Sequence, residues 1–287
     1  MNHLLERPFN KREFILLQFL VVCLFLGRAY QGLFFDLPLR TFFWDENLLS
    51  GLVTTLTGDT WQNYVTNKSI DIDSIINTIG VSMGLFWLLC AIVSMRIQVV
   101  PKWAKGILYA AVGSFIILAL LYWKDKFYAM GQLFEYMTQI SLPALLVYAV
   151  FNGNNTVRFR FYIKIIIAIT FVCHGLYAVG YYPQPGLWIQ WTMETFHFPD
   201  DVTTQNFLKV MGVLDFIAAG LLFFRPTFSI GIWYCILWGF MTAIARVWSN
   251  FYVDFPIDSL HQWTYQTLFR LGHGGLPLLL LWWHKES

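Results

Sequence analysis

Seven ionisable or titratable side chains stand inside otherwise apolar runs: Arg28, Glu135, His174, Asp215, Arg246, Arg270 and His273. The sharpest case is "KVMGVLDFIAAGLLFF", residues 209–224, where only Lys209 at the edge and Asp215 in the middle are ionisable. A charge at the bilayer centre costs about 2.5–3.5 kcal/mol even on insertion scales, so such a residue is expected to pair or to serve a function. Two carboxylates among three guanidiniums suggest ion pairs, with Asp215 matched to Arg28, Arg246 or Arg270. The same groups could also do chemistry. Arginine forks bind oxyanions, and a histidine or carboxylate can exchange protons with a quinone. A purely structural cluster is the competing reading, because buried pairs fix helix register with little net stabilisation and arginines near helix ends can snorkel. His174 taken alone reads as a hydrogen-bonded packing residue. His273 lies in "LGHGGLP", where three glycines clear space for a close helix or a small ligand.

Other chemistries find no support in the spacing. HxxxH, HExxH and clustered cysteines are absent, so no metal site is expected. No Rossmann glycine pattern, P-loop or GxSxG motif occurs, and no basic stripe suggests nucleic acid. The four cysteines, Cys23, Cys90, Cys173 and Cys235, lie singly within apolar runs and read as buried free thiols.

The elements that must position the seven residues are membrane spans. Of 287 residues, 57% are hydrophobic and 13% charged, about half the charge of a soluble domain. Runs of about 20 apolar residues give eight spans, at about 14–35, 74–95, 103–123, 128–150, 160–181, 207–224, 228–247 and 264–283. With the N-terminus cytoplasmic, one side holds Arg7, Lys11, Arg12, Arg96, Lys102, Lys105, Arg158, Arg160, Lys164, Arg225 and Lys285. The other holds Arg40, Lys68, Lys124 and Lys126, with Lys209 near the boundary. That bias favours cytoplasmic N- and C-termini. All seven polar residues then fall in the outer half of the bilayer, which suggests one cluster facing the bundle interior and open to the outside. The outer loops 36–73 and 182–206 are long and rich in aromatics and proline. They read either as loops lying at headgroup level or as lids over a site. The sequons "NKS" and "NNT" carry little weight.

The two halves echo one another. "LFEYMTQISLPALLVY" closes the fourth span and "LFRLGHGGLPLLLLWW" the eighth, with Pro143 matching Pro277. Met83-Gly84 in the second span matches Met211-Gly212 in the sixth, which puts Trp87 where the second half has Asp215. "LYWKDKFY" after the third span parallels "RVWSNFY" after the seventh. An even number of spans per unit makes this a parallel repeat about the membrane normal. The expected architecture is all-α, with one four-helix unit over residues 1–151 and a second over 152–287.

Each half resembles the DoxX-like four-helix membrane family. A polar residue followed by glycine on a first helix is matched by "FVCHGLY", and a Gly-acid-small pattern on a later helix by "MGVLDFIAAGLL". Residues 160–283 carry the resemblance better than the first half, where "LGRAYQGL" and "MGLFWLLC" are degenerate versions. The resemblance implies association with membrane oxidoreductase assemblies such as thiosulfate–quinone oxidoreductase, with redox or periplasmic subunits as partners. The resulting expectation is a bacterial inner-membrane protein whose outer cluster holds a quinone headgroup or a small anion. A transporter for a small solute and a non-catalytic membrane scaffold or assembly factor are the alternatives.

Overall fold

Asn10 starts the first long helix. Its side chain accepts from the Glu13 amide while Glu13 reaches back to the Asn10 amide, a reciprocal cap that satisfies two orphan donors. Helix α1 (Lys11–Phe34) then runs 24 residues, about 36 Å at 1.5 Å per residue. The computed structural model describes residues 7–68, 70–151, 154–155 and 157–285, so the last residues of both sequons, Ser69 and Thr156, lie outside the described residues.

Beyond α1 the described chain is helical, apart from a two-residue antiparallel pairing of β1 (Arg7–Pro8) with β2 (Asn154–Asn155). The first long loop folds into α2 (Arg40–Phe43), α3 (Glu46–Thr57) and α4 (Trp61–Val65). Then come α5 (Ile72–Met95), α6 (Ala104–Asp125), α7 (Met130–Glu135), α8 (Met137–Phe151) and α9 (Val157–Ala178). The second long loop holds α10 (Gly186–Phe196), followed by α11 (Asp201–Leu221), α12 (Phe228–Trp248), α13 (Pro256–Arg270) and α14 (Gly272–Lys285).

Six helices are long and apolar enough to cross a membrane: Lys11–Phe34, Ile72–Met95, Ala104–Asp125, Met130–Phe151, Val157–Ala178 and Phe228–Trp248. These match six of the eight expected spans. The other two differ for physical reasons. The sixth becomes α11, whose 21 residues carry Asp201, Lys209 and Asp215. The eighth is divided at Leu271 into the polar α13 and the 14-residue α14. A similar break at Tyr136 separates α7 from α8. Each break follows directly on an ionisable residue, Glu135 in one case and Arg270 in the other.

Two close helix crossings frame the bundle. Helix α1 packs along α5, and α9 along α11. A Cβ on Gly84 would sit 3.0 Å from the Ala29 carbonyl, and one on Gly32 would sit 2.8 Å from the Gly80 carbonyl. A Cβ on Gly175 or Gly212 would come within 2.9 Å of the other's carbonyl. Only hydrogen fits at these four positions, which lets the backbones approach and their neighbours meet. The interior around α14 is filled by Leu276, Leu279, Leu280 and Trp283, packed with Leu20, Leu146 and Phe159. The outward stripe of α12, by contrast, exposes Trp233, Leu237, Met241, Ile244 and Trp248, as a lipid-facing surface requires.

Candidate functional site

Helix ends bring most of the polar residues together. Glu135 is the last residue of α7 and Arg270 the last of α13, and Arg270 Nη1 donates to Glu135 Oε1 at 2.9 Å. His174 on α9 brings Nε2 to 3.2 Å from the same oxygen, a contact too far off line to count as a hydrogen bond. The His174 ring stacks on His273 of α14, centroids 5.2 Å apart and 17° from parallel. His273 Nδ1 lies 2.9 Å from the Arg270 carbonyl. Pro277, four residues on, has no N–H to give to the His273 carbonyl. The three glycines around His273 admit close neighbours: Leu142 against Gly272, Phe240 against Gly274 and Leu20 against Gly275.

Asp215, 1% exposed, faces the interior. Its partner is the Tyr234 hydroxyl, which donates to Oδ1 at 2.8 Å and also lies 3.1 Å from the Met211 carbonyl. The expected direct pair with an arginine is not formed, because the α11–α12 crossing presents Tyr234 to the carboxylate first. Arg246 and Arg270 do line the same cavity as Asp215. Arg28 stands apart from that cavity. Its fork donates to Gln139 Oε1 from Nε at 2.9 Å and from Nη2 at 2.6 Å, and to Gln31 Oε1 at 2.6 Å. The Phe269 ring covers it at 3.8 Å. With its donors engaged by two amide oxygens, Arg28 joins α1 to α8 and contacts no ligand space.

The cavity has a volume of about 80 Å³, room for several waters at about 10–15 Å³ each. Its polar wall is made by His174, Asp215, Thr242, Arg246, Arg270 and His273. Its cover is α10, which turns Trp188, Trp191, Thr192 and Thr195 onto it. Those four residues recur at i, i+3, i+4 and i+7, one face of a helix, so this part of the site was readable in "GLWIQWTMETF" and was missed. The second long loop is therefore a cover over the cavity. Gln184 Nε2 ties its start to the Ala178 carbonyl and, at 3.3 Å, to the Gln205 carbonyl. Phe196, Phe198 and Phe207 cluster at its far end. Asp200 caps α11 by accepting from the Thr203 amide at 2.7 Å, which holds its carboxyl below the usual carboxylate range.

Arg246 is the distinctive group. It is 4% exposed, donates from Nη1 to the Thr242 carbonyl and lies 4.8 Å from the centroid of the Trp191 ring. Among the described residues no carboxylate comes within 4.0 Å of it, and its Nε has no acceptor. Arg270 Nε, Trp191 Nε1, Thr195 Oγ1 and His273 Nε2, all on lining residues, also lack partners. Buried polar groups are normally hydrogen-bonded; with His174 Nε2, six unpartnered atoms surround one cavity, and the three that are fixed donors, Arg246 Nε, Arg270 Nε and Trp191 Nε1, suit a ligand that supplies acceptors. Among the described residues no three His, Cys, Asp or Glu side chains gather as metal ligands would, and the four cysteines are free and buried.

No protein-family model, curated protein or solved structure matches the chain.

Proposed function

We propose that the protein is a multi-pass membrane protein whose second half binds a small ligand through an oxyanion, in a pocket near the outer side that is roofed by α10. The observation that carries this is Arg246: a buried guanidinium with no carboxylate of the described residues within 4.0 Å, beside a cavity whose other unpartnered polar atoms include the N–H donors of Arg270 and Trp191. A quinone carbonyl would use the same donors, but a buried guanidinium whose nearest carboxylate among the described residues lies beyond 4.0 Å favours an anion. Arg270, held by Glu135 behind it, and His174 form the back wall, and Asp215, held by Tyr234, closes the α11 side.

The wider setting is read from the sequence. Eight spans in two parallel units, 1–151 and 152–287, with both termini cytoplasmic in a bacterial inner membrane, accord with the paired breaks at Tyr136 and Leu271. The matching crossings of Gly84 with α1 and Gly212 with α9 support the same reading. A DoxX-like subunit of a membrane oxidoreductase assembly is the role that this architecture suits. One observation favours a carrier instead: broken helices beside a polar site are a transporter feature. Against it, the closely packed leucines and Trp283 of α14 leave no path to the inner side.

The test is titration of the purified chain with phosphate, sulfate and thiosulfate, and with a short-chain quinone. An anion should bind saturably, weaken with salt, and lose about 10–100-fold in affinity in Arg246→Gln, the equivalent of a charge-assisted hydrogen bond worth about 1.5–3 kcal/mol. Binding that is absent, or indifferent to this substitution, would remove the proposal.

A further inference from the structure

The cavity has a second wall that a small hydrated anion would not use. Leu208 and Met211 of α11, Trp238 and Met241 of α12, and Phe196 at the end of α10 line it on the side away from the histidines. Met241 is 45% exposed and belongs to the outward stripe Trp233, Leu237, Met241, Ile244 and Trp248. On α11 the neighbouring residues Val210, Val213, Leu214 and Ile217 are likewise exposed. A residue that lines the cavity therefore also lies on the lipid-facing surface, so the cavity reaches that surface between α11 and α12, just below α10.

From this juxtaposition of a cationic end with an apolar end at the lipid-facing surface, we infer that the ligand is a single-chain amphiphile with an oxyanion head. It enters sideways from the outer leaflet between α11 and α12. Its head goes to Arg246 and Arg270, and its chain lies along Trp238, Met211 and Met241 toward the lipid. The inference rests on the oxyanion pocket proposed above and adds the route and the class of molecule. The cavity accommodates a head and the start of a chain, the rest of which stays in the lipid. Trp191 and Trp188 cover the head from the aqueous side, so a water-soluble anion meets the closed face of the site while a membrane-dissolved one meets the open face. An apolar body stays in an environment like the one it leaves, and only the head must shed water, which Arg246 and the neighbouring donors replace.

The experiment uses the full chain in nanodiscs of zwitterionic phosphatidylcholine, with empty nanodiscs as background. It compares titration by decyl phosphate and by inorganic phosphate. Decyl phosphate should bind saturably and at least tenfold tighter than phosphate, and Arg246→Gln should weaken it at least tenfold. Met241→Trp, a change on the lipid-facing surface that fills the mouth, should weaken decyl phosphate by a similar factor, and by more than it weakens phosphate. Equal binding of the two probes, both lost in Arg246→Gln, would overturn the lateral route and leave the oxyanion pocket standing. Decyl phosphate binding that ignores Arg246→Gln would overturn both. Should Arg246→Gln not fold, Arg246→Lys keeps the charge and loses the fork. Met241→Trp then still decides the route, and an unchanged affinity in that variant contradicts it.

Discussion

The two halves of the molecule treat positions with similar sequence surroundings in opposite ways. In the first, Trp87 stands three residues after Gly84, fully buried, donating to Ser114 Oγ at 2.9 Å and stacked on Phe115, itself stacked on Phe25. In the second, Asp215 stands three residues after Gly212, hydrogen-bonded to Tyr234 at the edge of a cavity. The guanidiniums diverge in the same way. Arg28 spends its fork on Gln139 and Gln31, whereas Arg246 keeps a buried Nε without an acceptor. Gln31-Gly32 and His174-Gly175 occupy like places, and so do Gln139 and His273, each four residues before a proline. Closed amides fill one half and stacked imidazoles beside open space mark the other. The contrast shows that a polar residue in an apolar helix is not by itself a sign of function; an unsatisfied one is the stronger sign.

The largest expected effect comes from forcing one half to resemble the other. Trp87→Asp would remove the aromatic stack and bury a carboxylate with neither a tyrosine nor a cavity beside it. Loss of a core Trp alone costs about 3–5 kcal/mol, and the unpaired charge adds to it, so little folded protein should accumulate on gel filtration in detergent. Asp215→Asn keeps an acceptor for Tyr234 and should cost about 1 kcal/mol. Similar behaviour of the two variants would break the comparison.

Next in size is the pair that joins the halves. Glu135→Ala leaves Arg270 and His174 facing each other without a carboxylate, a loss of about 3–5 kcal/mol for a broken buried pair. Because Glu135 and Arg270 each end a helix just before a break, the double exchange Glu135→Arg with Arg270→Glu should recover a measurable part of that loss in thermal unfolding. A double variant less stable than either single one would show that the partners are not interchangeable.

Much of this was legible in the sequence. Ionisable residues in runs such as "VMGVLDFIAAG" announce a buried cluster, and six spans follow from length and apolarity alone. Pairings were not legible, since they depend on how each helix is rotated: Asp215 finds Tyr234, 19 residues away on the next helix, and Arg28 finds the amides of Gln139 and Gln31. The breaks at Tyr136 and Leu271 were hidden because neither residue disfavours a helix, and the prolines come six residues or so later. The face of α10 was present in its tryptophan and threonine spacing, but aromatic residues in an outer loop read equally well as a headgroup-level anchor.

A smaller effect separates structure from binding. Arg28→Met leaves Gln139 and Gln31 with unmatched oxygens and should cost about 2 kcal/mol, seen as a lowered unfolding midpoint, while oxyanion affinity stays as in the parent. Smallest is the loop that holds α2 to α4. Asp45, paired with Lys124, has its carboxyl held below the usual range chiefly by that hydrogen bond. A depressed folded value stabilises above the unfolded pKa of about 3.9 and is lost as pH falls through the folded value. The parent should therefore lose stability below about pH 4 more steeply than Asp45→Asn does in paired melts; identical slopes would show that the contact carries nothing.

The most direct test of the central claim is a calorimetric titration of one oxyanion, phosphate or its decyl ester, into the parent, Arg246→Gln and Arg28→Met. Binding should be saturable in the parent and in Arg28→Met, at least tenfold weaker in Arg246→Gln, and weaker in each as salt is raised. Equal affinity in all three, or a loss in Arg28→Met that matches the loss in Arg246→Gln, would contradict it.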